Sequence, residues 1–293
     1  MIEFYIVDVF AEEKYAGNQL AVCRDAGMLS DARMQQIAKE MNFSETTFIL
    51  SPEQRDGGYD VRIFTPQEEV PFAGHPTLGT AYVIQREMVR EPVGKIVLNL
   101  KAGQIPVTFS YRGTEPDNLW MRQIPPTFGR LLDVQLTAQA LSLDESEVDS
   151  RFPVEQVSTG LPFVIVPLKT LDSLKRIQVD RDRYFDLIEG RWAKAILAFC
   201  PETYNRQNDL SVRVFADYYG VPEDPATGSA NGCLAGYLVK HRYFGETHIN
   251  VRVEQGYEIG RPSLLLLNAE DKQDQIAVSV GGKVIKVAEG EFV

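Results

Sequence analysis

The feature of this chain that most constrains its fold is an internal repeat with a period near 150 residues. The segment Val61–Phe64 (VRIF) recurs as Val212–Phe215 (VRVF), and a Val-Pro pair follows each copy at the same distance. Further along, residues 74–81 (GHPTLGTA) align with residues 223–230 (EDPATGSA) after a gap of two residues. This period is much longer than that of a solenoid repeat. The repeat therefore predicts two similar domains related by a pseudo-twofold axis.

Hydrophobic periodicity predicts a strand, a proline-containing turn and a helix in each half of the repeat. In the first half we predict a strand over Ile2–Phe10, a helix over Asp31–Asn42 and a second helix from His75 to about Met88. In the second half we predict a helix from Gly228 to His241, and a last strand over residues 275–288. Many strands that can pair antiparallel and few long helices are typical of the α+β fold class.

A cluster of proline and glycine at residues 125–129 marks a predicted domain boundary. We place a first domain at residues 1–125 and a second domain at residues 126–280. Residues 281–293 are predicted to form a C-terminal strand that returns to the first domain.

The formal net charge of −11, without a dense run of Lys and Arg, argues against a nucleic-acid partner. The apolar stretches are too short to span a membrane, and Met1–Tyr5 is typical of a strand rather than a signal peptide. The three cysteines, Cys23, Cys200 and Cys233, form no C-x-x-C pair, so neither a disulfide scaffold nor a metal site is expected. We therefore predict a cytoplasmic protein that acts on a small molecule, with no nucleic-acid or membrane partner.

In each half of the repeat, a proline precedes small residues at the predicted start of a helix. Gly79, Thr80, Gly228 and Ser229 would present backbone N–H groups there. A helix N-terminus has N–H donors without helical partners and carries a partial positive charge, so it attracts anions. Two such termini at a domain interface would hold a carboxylate, and ligand clefts often lie at such interfaces.

Five short segments together resemble the PhzF (phenazine-biosynthesis-like) family. They lie in both halves in matching order, and the resemblance covers essentially the whole chain. The segments are Ala16–Val22 (AGNQLAV), Asn42–Thr46 (NFSET), Phe64–Pro66 (FTP), Pro71–Thr77 (PFAGHPT) and Glu223–Ala230 (EDPATGSA).

This resemblance implies a fold similar to that of diaminopimelate epimerase, with two related domains, each a sheet curled around a central helix, and the active site in the cleft between them. It also implies a homodimer and no cofactor. Glu45 corresponds to the family's acid/base, while His75 and Asp224 correspond to groups that assist it and contact the substrate. The further substrate-binding residues that we predict are Asn18, Ser44, Gly74, Thr77, Gly228 and Ser229.

The predicted reaction is an isomerisation in which one carboxyl moves a proton on a small carboxylate-bearing substrate. A carboxyl in a partly apolar cleft has a raised pKa, toward the range that is useful for proton transfer at neutral pH. Two alternatives are a protein that binds a small carboxylate without turnover and a hydrolase in which Glu45 activates water. A two-thiol racemase is not favoured, because the corresponding turns hold His75 and Asp224 instead of cysteines.

Overall fold

The computed structural model describes every residue from Met1 to Val293. The chain divides into two compact units. The first unit contains residues 1–121 and 281–293, and the second unit contains residues 122–280. Strands outnumber helices in both. No helix is long and apolar enough to cross a membrane.

The regular elements follow one another as eighteen strands and six α-helices. The strands are β1 Ile2–Val9, β2 Asn18–Cys23, β3 Glu45–Ile49, β4 Tyr59–Phe64, β5 Glu69–Val70, β6 Lys95–Leu100, β7 Gly103–Arg112, β8 Glu115–Arg122, β9 Thr127–Leu131, β10 Glu155–Ser158, β11 Pro162–Pro167, β12 Ala195–Cys200, β13 Leu210–Ala216, β14 Val221–Asp224, β15 His248–Gln255, β16 Ser263–Asp271, β17 Ile276–Gly282 and β18 Val284–Phe292. The helices are α1 Asp31–Met41, α2 Gly74–Val83, α3 Val134–Ala140, α4 Leu171–Arg176, α5 Arg181–Ile188 and α6 Gly228–Lys240.

The two units repeat one pattern of strand pairing. In the first unit, β1 is antiparallel to β18 and β2, β2 is parallel to β3, and β3 is antiparallel to β4. Strand β4 then pairs antiparallel with β5 and parallel with β6. In the second unit, β10 pairs with β9 and β11, β11 with β12, β12 with β13, and β13 with β14 and β15, with the same sequence of orientations. The repeat in the sequence is therefore a repeat of topology.

One buried helix packs against the sheet of each unit. Helix α2 contacts β1, β2, β3, β6 and β7, and helix α6 contacts β10, β11, β15 and β16. At Gly79, an added Cβ atom would lie 2.6 Å from Leu20 Cδ2 and 2.9 Å from Val9 Cγ2. Because these distances are shorter than van der Waals contact, a larger residue at this position would force the side chains of β1 and β2 or the helix itself to move.

An arginine–glutamate pair also occurs once in each unit. Arg62 on β4 donates from Nε and Nη2 to the two carboxylate oxygens of Glu69, at 2.8 and 2.6 Å. Arg213 on β13 makes the same bidentate contact with Glu223, at 2.9 and 2.7 Å. Each pair joins a strand of the sheet to the short strand that leads to the buried helix.

These pairs correct the alignment of the two halves. Helices α2 and α6 each begin five residues after the paired glutamate, at Gly74 and Gly228. His75 therefore corresponds to Ser229, and the alignment of His75 with Asp224 was wrong. Gly79 lies inside α2 rather than at its start, as does Thr80.

The physical reason is an insertion that the sequence pattern did not reveal. Four residues separate Phe64 from Glu69, whereas seven separate Phe215 from Glu223. The additional length forms a short 3₁₀ helix over Asp217–Tyr219. The alignment of residues 74–81 with 223–230 matched small residues and proline that occupy different places in the two units.

Most predicted elements are confirmed with small changes of boundary, and α1 and α6 agree with their predicted bounds to within one residue. The predicted strand over residues 275–288 was wrong, because two strands, β17 and β18, meet there at Lys283. The carbonyl of Lys283 accepts a hydrogen bond from Phe10 N at 2.8 Å. Strand β18 then pairs along β1 in the first unit.

Candidate active site

Glu45 occupies the first position of β3, directly after the turn that ends α1. Asn42 ends that helix with a left-handed backbone, at φ 54°, and its N–H donates to Ala38 O. Strand β3 pairs in parallel with β2, with Glu45 opposite Leu20. The side chain of Glu45 is 18% exposed. A carboxyl group is therefore held at the end of a buried strand while it keeps access to solvent.

His75 is the second residue of α2, and its side chain is 8% exposed. Its Nε2 lies 3.4 Å from Glu45 Oε2. Burial lowers the pKa of His75 to about 3, against the raising effect of a hydrogen bond with the backbone of Gln19. The imidazole is therefore neutral at physiological pH. His75 Nε2 has no hydrogen-bond partner, so the structure places a neutral ring beside the carboxyl group without a hydrogen bond between them.

The other residues that we predicted in the first unit have different surroundings. Asn18 begins β2 and is buried, whereas Ser44 is exposed just before β3. Gly74 opens α2, whose N-terminus has no side-chain cap and no acidic residue in its first turn. Thr77 is fully buried and its Oγ1 donates to Ala73 O at 2.7 Å, so its hydroxyl serves the start of the helix.

Asp224 ends β14 in the second unit, and its carboxylate accepts a hydrogen bond from Thr227 Oγ1. Its backbone carbonyl accepts from Gln255 Nε2 at 2.7 Å. Ser229 is the second residue of α6 and half-buried, and Gly228 before it is buried. The start of α6 likewise has no side-chain cap and no acidic residue in its first turn. These features are typical of a helix N-terminus that binds an anion.

The structure therefore brings Glu45 together with His75 in the first unit. In the second unit it groups Asp224 with Gly228 and Ser229. Sequence reasoning missed Gln255, which lies on a different element, 31 residues after Asp224. The only local signal was a polar residue followed by glycine at the end of a strand.

The cysteines are not prepared for thiol chemistry. All three are buried, and burial raises the pKa of Cys23, Cys200 and Cys233 to about 12. A nucleophilic cysteine needs a lowered pKa and access to substrate. Cys233 instead packs inside α6, with Sγ 3.7 Å from Thr159 Oγ1.

The fold defines the class of protein. The chain superposes on a crystal structure of a probable proline racemase from Agrobacterium radiobacter with a TM-score of 0.64 at 9% identity, over 100% of this chain and 93% of that one. It superposes on the crystal structure of the Bacillus anthracis phenazine biosynthesis protein, PhzF family, with a TM-score of 0.91 at 28% identity, over 100% and 99%. The protein thus has the α+β, diaminopimelate epimerase-like fold, which confirms the predicted fold class.

The sequence comparisons narrow this class to one family. The profile of the PhzC–PhzF family, described as phenazine biosynthesis-like protein, matches residues 7–290. The trans-2,3-dihydro-3-hydroxyanthranilate isomerase of Pseudomonas aeruginosa is 36% identical over 293 residues, which cover 99% of each chain. The chain belongs to the PhzC–PhzF family, and it is an enzyme of the isomerase class.

Proposed function

We propose that this enzyme moves a proton on a small carboxylate-bearing metabolite, with Glu45 as its single acid/base and without a cofactor. The observation that carries the proposal is the 3.4 Å contact between Glu45 and the neutral His75. A carboxyl group at the first position of a buried strand, next to an uncharged imidazole ring, is suited to accept and return a proton.

In the proposed reaction the Glu45 carboxylate takes a proton from a carbon next to an activating group. Glu45 keeps access to solvent, so its proton exchanges with water before the same carboxyl delivers a proton to another carbon on the same face. One proton leaves and one proton returns, and a double bond of the substrate shifts. His75 is uncharged and has one ring N–H, which it donates to the backbone of Gln19. Its Nε2 is then an acceptor, so it can take a hydrogen bond from the protonated Glu45 carboxyl or from a substrate hydroxyl without adding positive charge. Asp224 assists and contacts the substrate.

We propose that the substrate carboxylate binds backbone N–H groups at helix starts. Gly74 opens α2, and Gly228 and Ser229 open α6, and neither helix start has a side-chain cap. Asn18 and Ser44 would add polar contacts. The hydroxyanthranilate in the name of the Pseudomonas aeruginosa relative supports a carboxylate-bearing class. At 36% identity we assign the class and not that compound.

The test is deuterium incorporation from D2O. Wild type and Glu45→Gln are incubated separately with trans-2,3-dihydro-3-hydroxyanthranilate and with a metabolite extract, and mass shifts are measured. We expect incorporation with wild type and a loss of about 10²-fold or more with Glu45→Gln, the usual size of a general acid–base contribution. The exposed Glu40→Gln on α1 is the matched control and should behave as wild type.

The alternatives give different results. A protein that only binds would retain a ligand and show no mass shift with either variant. A hydrolase would instead incorporate ¹⁸O from labelled water into a cleaved product. The homodimer and the cytoplasmic location that the sequence suggested stay predictions, and the dimer can be checked by analytical ultracentrifugation.

A further inference from the structure

Gln255, the last residue of β15, is 1% exposed and uses its whole side-chain amide on the segment that leads into α6. Its Nε2 donates to Asp224 O at 2.7 Å and to Thr227 Oγ1 at 3.0 Å. Its Oε1 accepts from Thr227 N at 3.2 Å and from Asn231 Nδ2 at 2.9 Å. A primary amide has two donor hydrogens and two acceptor positions, so all four are occupied.

The direction of these bonds determines what Thr227 can do. Its hydroxyl accepts from Gln255 Nε2, and its single proton goes to the Asp224 carboxylate. Asp224 O can only accept and Thr227 N can only donate. A 180° rotation that exchanges the oxygen and nitrogen of the Gln255 amide would therefore break both of these bonds. The Asp224 carboxylate is therefore held as an acceptor at one of its oxygens.

The backbone next to Gln255 supports the same segment. Gly256 has φ +79°, and an added Cβ atom would lie 2.6 Å from Pro225 O. Ser263 Oγ donates to that carbonyl at 2.9 Å. Residues 224–227 are thus fixed from β15 and β16, and a rigid support of this kind is what keeps a reacting group in position.

We infer that Gln255 is a positioning residue for Asp224 and for the first turn of α6. This inference rests on the proposed function, in which Asp224 contacts the substrate and the start of α6 binds its carboxylate. Gln255 does not contact the substrate in this scheme. It acts through Thr227, by directing the hydroxyl proton toward the Asp224 carboxylate.

The first experiment compares Gln255→Glu with Gln156→Glu. Gln255→Glu keeps the shape of the side chain and one acceptor oxygen. It replaces the Nε2 amino group, which donates to Asp224 O and Thr227 Oγ1, with a second oxygen that cannot donate when ionised. The new carboxylate would then compete with Asp224 for the single hydroxyl proton of Thr227. Gln156 is a matched control in the same unit, because it is 3% exposed and its Oε1 accepts from Ala193 N at 2.9 Å, away from Asp224.

We expect Gln255→Glu to lower kcat at least tenfold with a smaller change in KM, because an error of about 1 Å in the position of a reacting group can cost 10²-fold. Gln156→Glu should stay within about twofold of wild type, since the hydrogen bonds of Gln156 go to Ala193 N and Arg130 O and not to the segment that leads into α6. Equal kcat values for wild type and Gln255→Glu, in an enzyme that is active, would overturn the inference and leave the proposed function standing.

A second measurement does not depend on activity. Gln255→Leu removes the acceptor of Thr227 N, so hydrogen exchange of the peptide over residues 224–231 should be faster than in wild type and in Gln156→Leu. If wild type shows no proton transfer, the proposed function fails. The hydrogen exchange of Gln255→Leu then decides by itself whether Gln255 holds residues 224–231 in place. Unchanged exchange in Gln255→Leu would overturn the inference even if the enzyme is active.

Discussion

At the scale of single residues, the charge of His75 is decided by its surroundings. The ring is 8% exposed on a buried helix, and water cannot solvate an imidazolium there. Its pKa falls to about 3 although a carboxyl oxygen of Glu45 lies 3.4 Å away. His75 is therefore an uncharged neighbour of Glu45 and not its counter-ion. This distinction matters for the proposed reaction, because a cation beside Glu45 would weaken it as a base.

We predict that His75 stays neutral at every pH at which the enzyme is folded and active. Its ring ¹³C and ¹⁵N chemical shifts, assigned by comparison with His75→Asn, should not change between about pH 8 and pH 5. The reason is that ionisation would require burying a charge without solvent. A titration of this ring with a midpoint near 6.5, the ordinary value for histidine, would contradict the prediction.

Sequence reasoning predicted residues of the proposed site but not the residues that hold them in place. Glu45 and His75 were identified through local motifs, and the structure places them on adjacent elements, β3 and α2. The amide of Gln255 could not be found in this way, because its importance comes from contacts with residues 24 to 31 positions away in the chain. Hydrogen bonds of this kind depend on how strands pair, which a local pattern does not specify.

At the scale of elements, a pair of threonines joins the strand of Glu45 to the helix of His75. Thr47 Oγ1 on β3 lies 2.7 Å from Thr80 Oγ1 on α2, and both residues are fully buried. Side chains two apart on a strand point to the same face, so Glu45 and Thr47 both face α2. The hydroxyl pair thus helps to fix the distance between the two groups of the proposed site.

We predict that Thr47→Val lowers the free energy of unfolding by about 1–3 kcal/mol, because Thr80 keeps a buried hydroxyl that has lost its partner. It should also lower kcat more than it changes KM, while Thr47→Ser restores both. Thr46→Val is the control, since Thr46 Oγ1 is buried without a hydrogen-bond partner and a methyl group replaces it without loss. Urea unfolding and steady-state kinetics measure the two effects. A Thr47→Val enzyme as stable and as active as Thr46→Val would contradict the prediction.

Hydrophobic periodicity was sufficient to predict the helices and strands, but it was insufficient to align the two repeats. The apolar positions of α1 and the small, buried residues of α6 predicted both helices well. The inserted 3₁₀ helix over Asp217–Tyr219 has no pattern of its own, so it shifted the predicted correspondence of His75. The Arg62–Glu69 and Arg213–Glu223 pairs show the true alignment, because a bidentate contact depends on geometry and not on sequence spacing.

At the scale of the whole molecule, buried ionisable groups determine how stability depends on pH. Glu155 on β10 is buried, and it accepts from Lys240 Nζ at 2.5 Å and from His241 Nε2 at 2.7 Å at the end of α6. Burial raises its pKa, but the hydrogen bonds and charges of His241 and Lys240 outweigh this and lower the pKa. The pKa of Glu69 is lowered by its bond to Arg62, and that of Asp149 by its bond to Arg151.

These shifts have one sign. A group whose pKa is lower in the folded state binds a proton more readily in the unfolded chain, so acid favours unfolding. For His75, stability is lost as the pH falls from about 6.5, the pKa in the unfolded chain, to about 3, the pKa in the folded protein. For the carboxyl groups, the loss of folding stability begins near pH 4.5, the ordinary pKa of glutamate, and continues as the pH falls further. Stability should therefore decline in two steps between neutral and acid pH.

We predict that the free energy of unfolding is highest near neutral pH, falls below about pH 6.5 and falls more steeply below about pH 4.5. Glu155→Gln should cost about 1.5–3 kcal/mol at pH 7, the usual contribution of a hydrogen bond to a charged group. It should also flatten the steeper step, since the variant has no carboxyl to protonate at this place. Urea unfolding followed by circular dichroism from pH 8 down to about pH 2.5 measures both, with the exposed Glu40→Gln as the control that should follow wild type. A Glu155→Gln curve parallel to that of wild type at every pH would show that the ion pairs of Glu155 do not set the acid stability of the protein.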